Sequence, residues 1–169
     1  IKERLSISSI FEKERTLHNF LRELEVFDPR ESDITILEKK ARYFGYRPEK
    51  TYSTLWIGIR NFSSMMKQLT DRPDRENSNR ELILQSLRNR VTLEIKHLFN
   101  RPGDICAPFG SDDFVILHAL DDNKKVWPEL KRKCSLLLEK LQASGFRAET
   151  AIGPLANDLE SLSRSFQYA

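Results

Sequence analysis

The spacing of apolar residues divides this chain into helices that alternate with short strands. Apolar residues at three- and four-residue intervals predict helices over about 2–27, 34–44, 62–69, 80–98, 128–144 and 158–169. Nearly continuous apolar runs predict strands at 55–59, 104–108, 115–119 and 146–152. Beyond the first two helices, the order of the core is βαββαβ followed by a last helix.

Residues that favour helix ends and turns set the expected boundaries. Ser32 is the expected N-cap of the second helix and Asn157 that of the last, while Ser78-Asn79-Arg80-Glu81 has the pattern of a capping box. Gly153-Pro154 is expected to end the last strand.

The order of elements predicts an α+β fold with an antiparallel, ferredoxin-like sheet. Right-handed crossovers place the first and third strands at its centre and the second at an edge. Pro108 agrees with this, because proline lacks the N–H that a central strand needs. We expect an N-terminal helical segment over 1–46, an α+β domain over 51–169, and helices on one face of the sheet. The predicted core includes Ile57, Leu87, Val91, Phe114, Ile116 and Leu137.

A candidate site lies at the turn between the second and third strands. Phe109-Gly110-Ser111-Asp112-Asp113-Phe114 predicts a tight hairpin with two acidic residues directly after the turn. Acids at a hairpin tip can hold a divalent cation and, through it, a nucleoside triphosphate. Such a site needs a second source of carboxylates elsewhere in the chain.

The first helix carries a narrow apolar stripe. Leu17, Leu21 and Leu24 recur on one face, with charged residues on both sides of them. A narrow stripe of this kind favours pairing with a second helix, so these leucines are a candidate homodimer seam. The alternative is that the helix folds back onto the sheet of its own chain.

Composition limits the classes of function. The 169 residues, 39% of them hydrophobic, suffice for one domain with extensions, and no apolar run reaches the length of a transmembrane helix. A formal charge of +3, from 28 basic and 25 acidic residues, does not require a nucleic-acid partner. The cysteines and histidines lack the spacing of a metal site, so we expect neither a metal nor a cofactor.

The hairpin and its surroundings resemble the GGDEF domain of diguanylate cyclases. Gly110-Ser111-Asp112-Asp113-Phe114 stands where that family carries Gly-Gly-Asp/Glu-Glu-Phe. Ala151-Ile152-Gly153 resembles its Ser-Ile-Gly strand end, and residues 159–169 resemble its final helix. The resemblance implies a nucleotide-cyclase palm, in which the hairpin and the end of the first strand hold two metal ions that bind GTP.

The first strand departs from that family. Gly58-Ile59-Arg60-Asn61-Phe62-Ser63 stands where the family carries a pattern like Asp-x-Asp-x-Phe-Lys. Gly58 and Arg60 replace both carboxylates, and Arg60 places a positive charge near the vacated cation site. Because phosphoryl transfer depends on charge neutralisation by the metal ions, we expect no metal, no catalytic residue and no enzyme activity.

Nearly the whole chain is similar to the GGDEF-like middle domain of CdaR/PucR-type regulators of sugar-diacid and purine catabolism. The similarity lies in residues 41–48, in residues 152–169, and in a first strand without catalytic acids. It implies a regulatory domain between a sensor domain, which binds the small-molecule effector, and a C-terminal helix-turn-helix domain, which binds DNA. The start at Ile1 agrees with an excised middle piece of a cytoplasmic homodimer without membrane contact.

Two other functions stay open. One is a degenerate domain that binds a nucleotide without metal, for which Arg60 offers the positive charge near the hairpin. The other, less favoured, is an active diguanylate cyclase, since the first strand lacks the required carboxylates.

Overall fold

A computed structural model describes residues 2–70, 80–121 and 126–169 of the chain, with side chains from residue 12 onward. Ser78 and Asn79, which form half of the predicted capping box, lie outside the described residues.

Helices and strands follow one another along the described chain as the apolar spacing predicts. The helices are α1 (Lys2–Glu25), α2 (Ile34–Tyr43), α3 (Phe62–Thr70), α4 (Arg80–Leu98), α5 (Val126–Ala143) and α6 (Leu159–Tyr168). The strands are β1 (Thr51–Ile59), β2 (Ile105–Pro108), β3 (Asp113–Leu120) and β4 (Ala148–Ala156). None of the helices in this described part is long and apolar enough to cross a membrane.

The four strands form one antiparallel sheet in the order β2-β3-β1-β4. β1 and β3 are therefore central and β2 is an edge strand, which confirms the predicted α+β fold and its ferredoxin-like topology. Pro108 ends β2 on the outer side of the sheet, where no further strand needs its missing N–H.

Helices cover both faces of the sheet, because successive strand side chains point to opposite faces and both sets are apolar. On one face, α3, α4 and α5 enclose residues such as Ile57 and Phe114. On the other, α1, α2 and α6 enclose residues such as Val115 and Leu117. All six predicted core residues are buried in the first layer. The expectation of helices on one face is wrong, since a second apolar layer fills the other.

The candidate dimer seam lies inside this second layer. Leu21 and Leu24 are fully buried against their own chain, and Leu17 packs at the margin of the same layer. The seam prediction is therefore wrong for Leu21 and Leu24, which cannot contact a second copy, and α1 instead folds onto its own sheet. Phe20 is also buried, and it widens the apolar stripe beyond a narrow seam.

Two helix caps lie one residue beyond the predicted ones. Asp33, rather than Ser32, accepts a backbone N–H hydrogen bond and caps α2. Asp158, rather than Asn157, forms a capping box at the start of α6. A carboxylate suits both positions, because it accepts the free N–H groups and faces the positive end of the helix dipole.

The last strand continues past its predicted end, through Gly153 and Pro154 to Ala156. β4 is the other edge of the sheet, so Pro154 interrupts no further ladder. Ser53 Oγ donates to the Gly153 carbonyl at 3.1 Å, and Ser165 Oγ donates to the Pro154 carbonyl at 2.6 Å. A Cβ added at Gly153 would lie 2.5 Å from the Ser165 carbonyl oxygen, so glycine lets α6 pack directly on the strand.

Packing of α4 on the sheet predicts the effect of truncating one of its leucines. Leu87 is 1% exposed, so Leu87→Ala is expected to lower the free energy of unfolding by about 2–5 kcal/mol in urea titrations. Leu82 lies on the same helix but is 69% exposed, so Leu82→Ala is the matched control and is expected to change stability by less than about 0.5 kcal/mol. A loss below about 1 kcal/mol for Leu87→Ala would contradict the assigned buried face.

Candidate functional site

The register of the central strand brings the motif residues together at one end of the sheet. Gly58 of β1 pairs with Asp113 of β3 on one side and with Glu149 of β4 on the other. Directly opposed residues of antiparallel strands point to the same face. The three positions therefore form one row, in which two carboxylates flank a position without a side chain.

The backbone does not require glycine at position 58. An added Cβ would lie 3.4 Å from Asp113 Oδ1 and 3.5 Å from Glu149 Oε1, which are ordinary contact distances. Gly58 is also not among the glycines with positive φ. The missing carboxylate at Gly58 is therefore a chemical difference that the fold does not impose.

The hairpin tip is fastened to the body of the domain. The Phe109 N–H donates to the Asp113 carbonyl at 2.9 Å, which closes the turn. Arg88 of α4 donates from Nη2 to the Gly110 carbonyl at 2.6 Å. The tip is thus held from within by its own backbone and from outside by a helix.

Arg60 directs a positive charge at the carboxylate row. Its guanidinium Nη2 lies 2.5 Å from Glu149 Oε1, and both side chains are more than half exposed. An exposed ion pair of this kind contributes at most about 1 kcal/mol to stability. Its main effect is electrostatic, because a cation stands where the resemblance implies a second metal-binding carboxylate.

The carboxylates at the tip repel one another. The pKa of Asp113 is raised, first by burial and then by the negative charges of Asp112 and Glu149, while Arg60 lowers it. Asp112 turns one carboxylate oxygen toward the Ser111 hydroxyl, which donates to it at 2.7 Å. The site therefore carries excess negative charge that Arg60 offsets only in part.

The residues present do not fit the two-metal site that the resemblance implies. No group of three or more acidic, histidine or cysteine side chains within the described ranges could hold a metal ion. Gly58 supplies no ligand, and Arg60 repels a divalent cation. Glu149 is a member of this site that the sequence analysis missed, because its place opposite Gly58 depends on strand register and not on periodicity.

A comparison with protein-family models shows the family to which this chain belongs. Residues 28–169 match the model of the GGDEF-like domain. The chain belongs to the GGDEF-like domain family. The matched range starts ahead of α2. No curated protein matches the sequence.

Solved GGDEF domains are among the structures similar to this GGDEF-like domain. The isolated GGDEF domain of TpbB (YfiN) from Pseudomonas aeruginosa is 17% identical, with a TM-score of 0.44 over 68% of this chain and 66% of that one, just under two thirds of its length. The GGDEF domain of DgcB from Caulobacter crescentus, solved in complex with c-di-GMP, is 10% identical. Its TM-score is 0.43, over 74% of this chain and 72% of the DgcB chain. A diguanylate cyclase/phosphodiesterase from Caldicellulosiruptor saccharolyticus is 18% identical. Its TM-score is 0.42, over 78% of this chain and 74% of the other chain.

The last residue of the hairpin motif belongs to the core of the GGDEF-like domain. Phe114 is fully buried among the side chains of the layer that α4 and α5 cover. The motif therefore combines three roles along the chain: Gly110 and Ser111 form the turn, Asp112 and Asp113 carry charge, and Phe114 anchors the hairpin.

A separate buried polar cluster lies toward the other end of β3. His118 Nδ1 and Asp104 Oδ1 are 2.8 Å apart, and Lys133 Nζ lies 3.3 Å from His118 Nε2. Asp104 also accepts the Ala119 N–H at 2.9 Å. Burial lowers the pKa of Lys133. These bonds tie the start of β2 to β3 and α5, so His118 has a structural role.

Replacing the two partners of Asp113 is expected to move its pKa in opposite directions. Glu149→Gln removes a negative neighbour and frees Arg60, so the pKa of Asp113 falls. Arg60→Gln removes a positive neighbour, so the pKa of Asp113 rises. Carbon-detected NMR titration of the side-chain carboxyl measures both shifts.

A distant substitution provides the control for this titration. Arg164→Gln, in an exposed pair with Glu160 on α6, is expected to leave the pKa of Asp113 unchanged. Shifts of the same sign in the two test variants would show that the row is not electrostatically coupled.

Because the pKa of Asp113 is raised in the folded state, ionised Asp113 destabilises the fold at neutral pH. This penalty disappears as pH falls through the folded pKa toward the unfolded pKa.

Proposed function

We propose that this GGDEF-like domain is a catalytically inactive coupling module of a bacterial transcriptional regulator of carbohydrate catabolism, such as the catabolism of sugar diacids. It links an upstream sensor domain to a C-terminal helix-turn-helix domain in the cytoplasm, and DNA contacts belong to the latter. The proposal is supported by the likeness of residues 41–48 and 152–169 to CdaR/PucR-type regulators. It requires a helix-turn-helix domain beyond Ala169 in the full-length gene product, and a full-length sequence without one would overturn it.

The regulator acts as a homodimer in this proposal, since operators with paired half-sites are bound by two-fold symmetric proteins. The contacts between copies do not involve Leu21 or Leu24, which are buried within one chain.

The observation that carries the coupling role is the contact between the first and last helices. Ser163 Oγ donates to the Leu24 carbonyl at 2.7 Å, and Gln167 Nε2 donates to the Glu25 carbonyl at 2.8 Å. Carbonyls in the last turn of a helix have no partner within the helix. α6 therefore caps α1, and a displacement of α1 must either move α6 or break these two bonds.

Catalytic inactivity is supported by the charges at the hairpin. Asp112, Asp113 and Glu149 repel one another, and Gly58 of β1 and Arg60, directly after β1, stand in place of metal-binding carboxylates. The same charges disfavour the alternative of a nucleotide receptor. Without a metal ion, these carboxylates repel the phosphates of a bound nucleotide more strongly than one exposed arginine attracts them.

An assay for cyclase activity tests the inactivity. Incubated with GTP and Mg²⁺ or Mn²⁺, the chain is expected to form no cyclic diguanylate above a no-protein control, because β1 supplies no metal ligand. Clear turnover would overturn the proposal and restore the cyclase alternative. Calorimetry with Mn²⁺ should likewise detect no binding at the hairpin.

A variant that carries carboxylates at positions 58 and 60 provides the positive control for the expected absence of Mn²⁺ binding. Gly58→Asp/Arg60→Asp introduces carboxylates in β1 and directly after it, near Asp113 and Glu149, and the variant is expected to gain Mn²⁺ binding in calorimetry. Lys140→Asp/Ala143→Asp, at exposed positions of α5, makes the same change in net charge and is expected to gain none. Equal Mn²⁺ binding by both variants would mean that the gain does not come from this site.

The link between α1 and α6 is tested by amide hydrogen exchange. Ser163→Ala/Gln167→Ala removes two bonds of about 1 kcal/mol each, so amides in residues 17–25 are expected to exchange about thirtyfold faster. Amides of β3 should be unaffected. Glu160→Ala/Arg164→Ala removes an exposed pair on the same helix and is the control. Exchange in α1 equal to that of the control would show that α6 does not hold α1.

A further inference from the structure

A cavity of about 750 Å³ lies between α1 and α4 on the outer side of the edge strand β2. The two helices belong to opposite layers of the domain, and both extend beyond the edge of the sheet. Residues 13–18 form one wall, residues 85–96 form the other, and residues 106–108 form the floor. Its volume is in the range of cavities that hold small organic ligands.

The walls of this cleft carry an excess of positive charge. Its lining includes Lys13, Arg15, Arg88 and Lys96 but only one carboxylate, that of Glu14. Several cations elsewhere on the described part of the domain pair with acids, as in the ion pairs on α2 and α6. Arg88 instead donates to a neutral carbonyl, and the other three cations form no ion pair within the described residues.

The floor and the inner walls of the cleft are apolar. Leu17 and Leu93 face it from the two helices, and Cys106, Ala107 and Pro108 line the strand between them. Burial raises the pKa of the Cys106 thiol to about 12, so the thiol is neutral and does not balance the charge of Lys96. The cleft therefore offers apolar surface beneath unpaired cations.

We propose that this cleft binds a small organic anion that carries a carboxylate or phosphate group on an apolar body. Its chemistry matches both properties of the cleft, since the cations attract the acidic group and the apolar floor accepts the body. An extended peptide fits less well, because β2 is four residues long and Pro108 has no N–H to donate. The site goes beyond the coupling role above, which assigns effector binding to another domain.

The occupied cleft acts on the same helix that the coupling role uses. An anion held by Arg15 and Lys96 bridges α1 to α4 and so resists displacement of α1. The His18 ring at the cleft packs against that of Phe109 in a tilted contact, with centroids 5.6 Å apart, and Arg88 holds the hairpin tip. Binding therefore fixes α1 and the hairpin relative to the sheet.

Titration with 2-naphthoate, and with the neutral isostere 2-naphthamide, tests the site on the whole 169-residue chain. Calorimetry is expected to give at least about tenfold tighter binding for 2-naphthoate, because only the acid can pair with the cations. Amide shifts should be confined to residues 13–18, 85–96 and 106–108. No binding at millimolar concentration, equal binding of the two probes, or shifts elsewhere would overturn the proposal.

Charge-matched variants separate this cleft from general attraction to a basic surface. Arg15→Gln/Lys96→Gln, at exposed wall positions, is expected to weaken 2-naphthoate binding about tenfold with an unchanged thermal unfolding midpoint. Lys131→Gln/Arg132→Gln, at exposed positions of α5, removes the same charge and should leave binding unchanged. Equal weakening in the two variants would show that the anion does not bind in the cleft.

Discussion

Pairing of β1 on both of its edges is the constraint on which the rest of this structure depends. Because β1 lies between β3 and β4, its side chains alternate between two layers, and helices must cover each of them. The same register sets Gly58 between Asp113 and Glu149. A slip of one residue would turn Ile57 and Ile59 away from the layer under α3, α4 and α5 toward the opposite face, and Gly58 would no longer lie between the two carboxylates. The register of β1 therefore determines both the packing of the core and the geometry of the candidate site.

An aromatic cluster joins β1 to α1 and α6, the first and last helices of the chain. The rings of Trp56 in β1, Phe109 at the hairpin and Phe166 in α6 lie with centroids 4.9 to 5.3 Å apart, in tilted, edge-on contacts. Arg22 of α1 completes the cluster, with its guanidinium 4.1 Å from the Phe109 ring centre. The hairpin, α1 and α6 therefore share one set of contacts, so a shift of the tip disturbs both helices.

Sequence reasoning succeeded where burial follows local periodicity and failed where it follows pairing. The layer around Leu87 and Phe114 was predicted because α4, α5 and the hairpin carry regular apolar spacing. The sequence did contain a signal for the second layer, since the unbroken apolar run Phe114-Val115-Ile116-Leu117 of β3 indicates cover on both faces. The sequence contains no such signal for the position of Glu149 or for the true end of β4. The hydrogen bonds that place them come from β1 and from Ser165 of α6.

Arg60 changes what the hairpin needs in order to be stable. In a metal-dependent palm, a divalent cation offsets the repulsion between carboxylates from two strands. Here the covalently attached cation of Arg60 lowers the pKa of Asp113 and pairs with Glu149, so part of that repulsion is offset within the chain. In the proposed coupling role, this palm is the fixed platform, and the position of α1 against α4 and α6 is the variable that a ligand or an upstream domain controls.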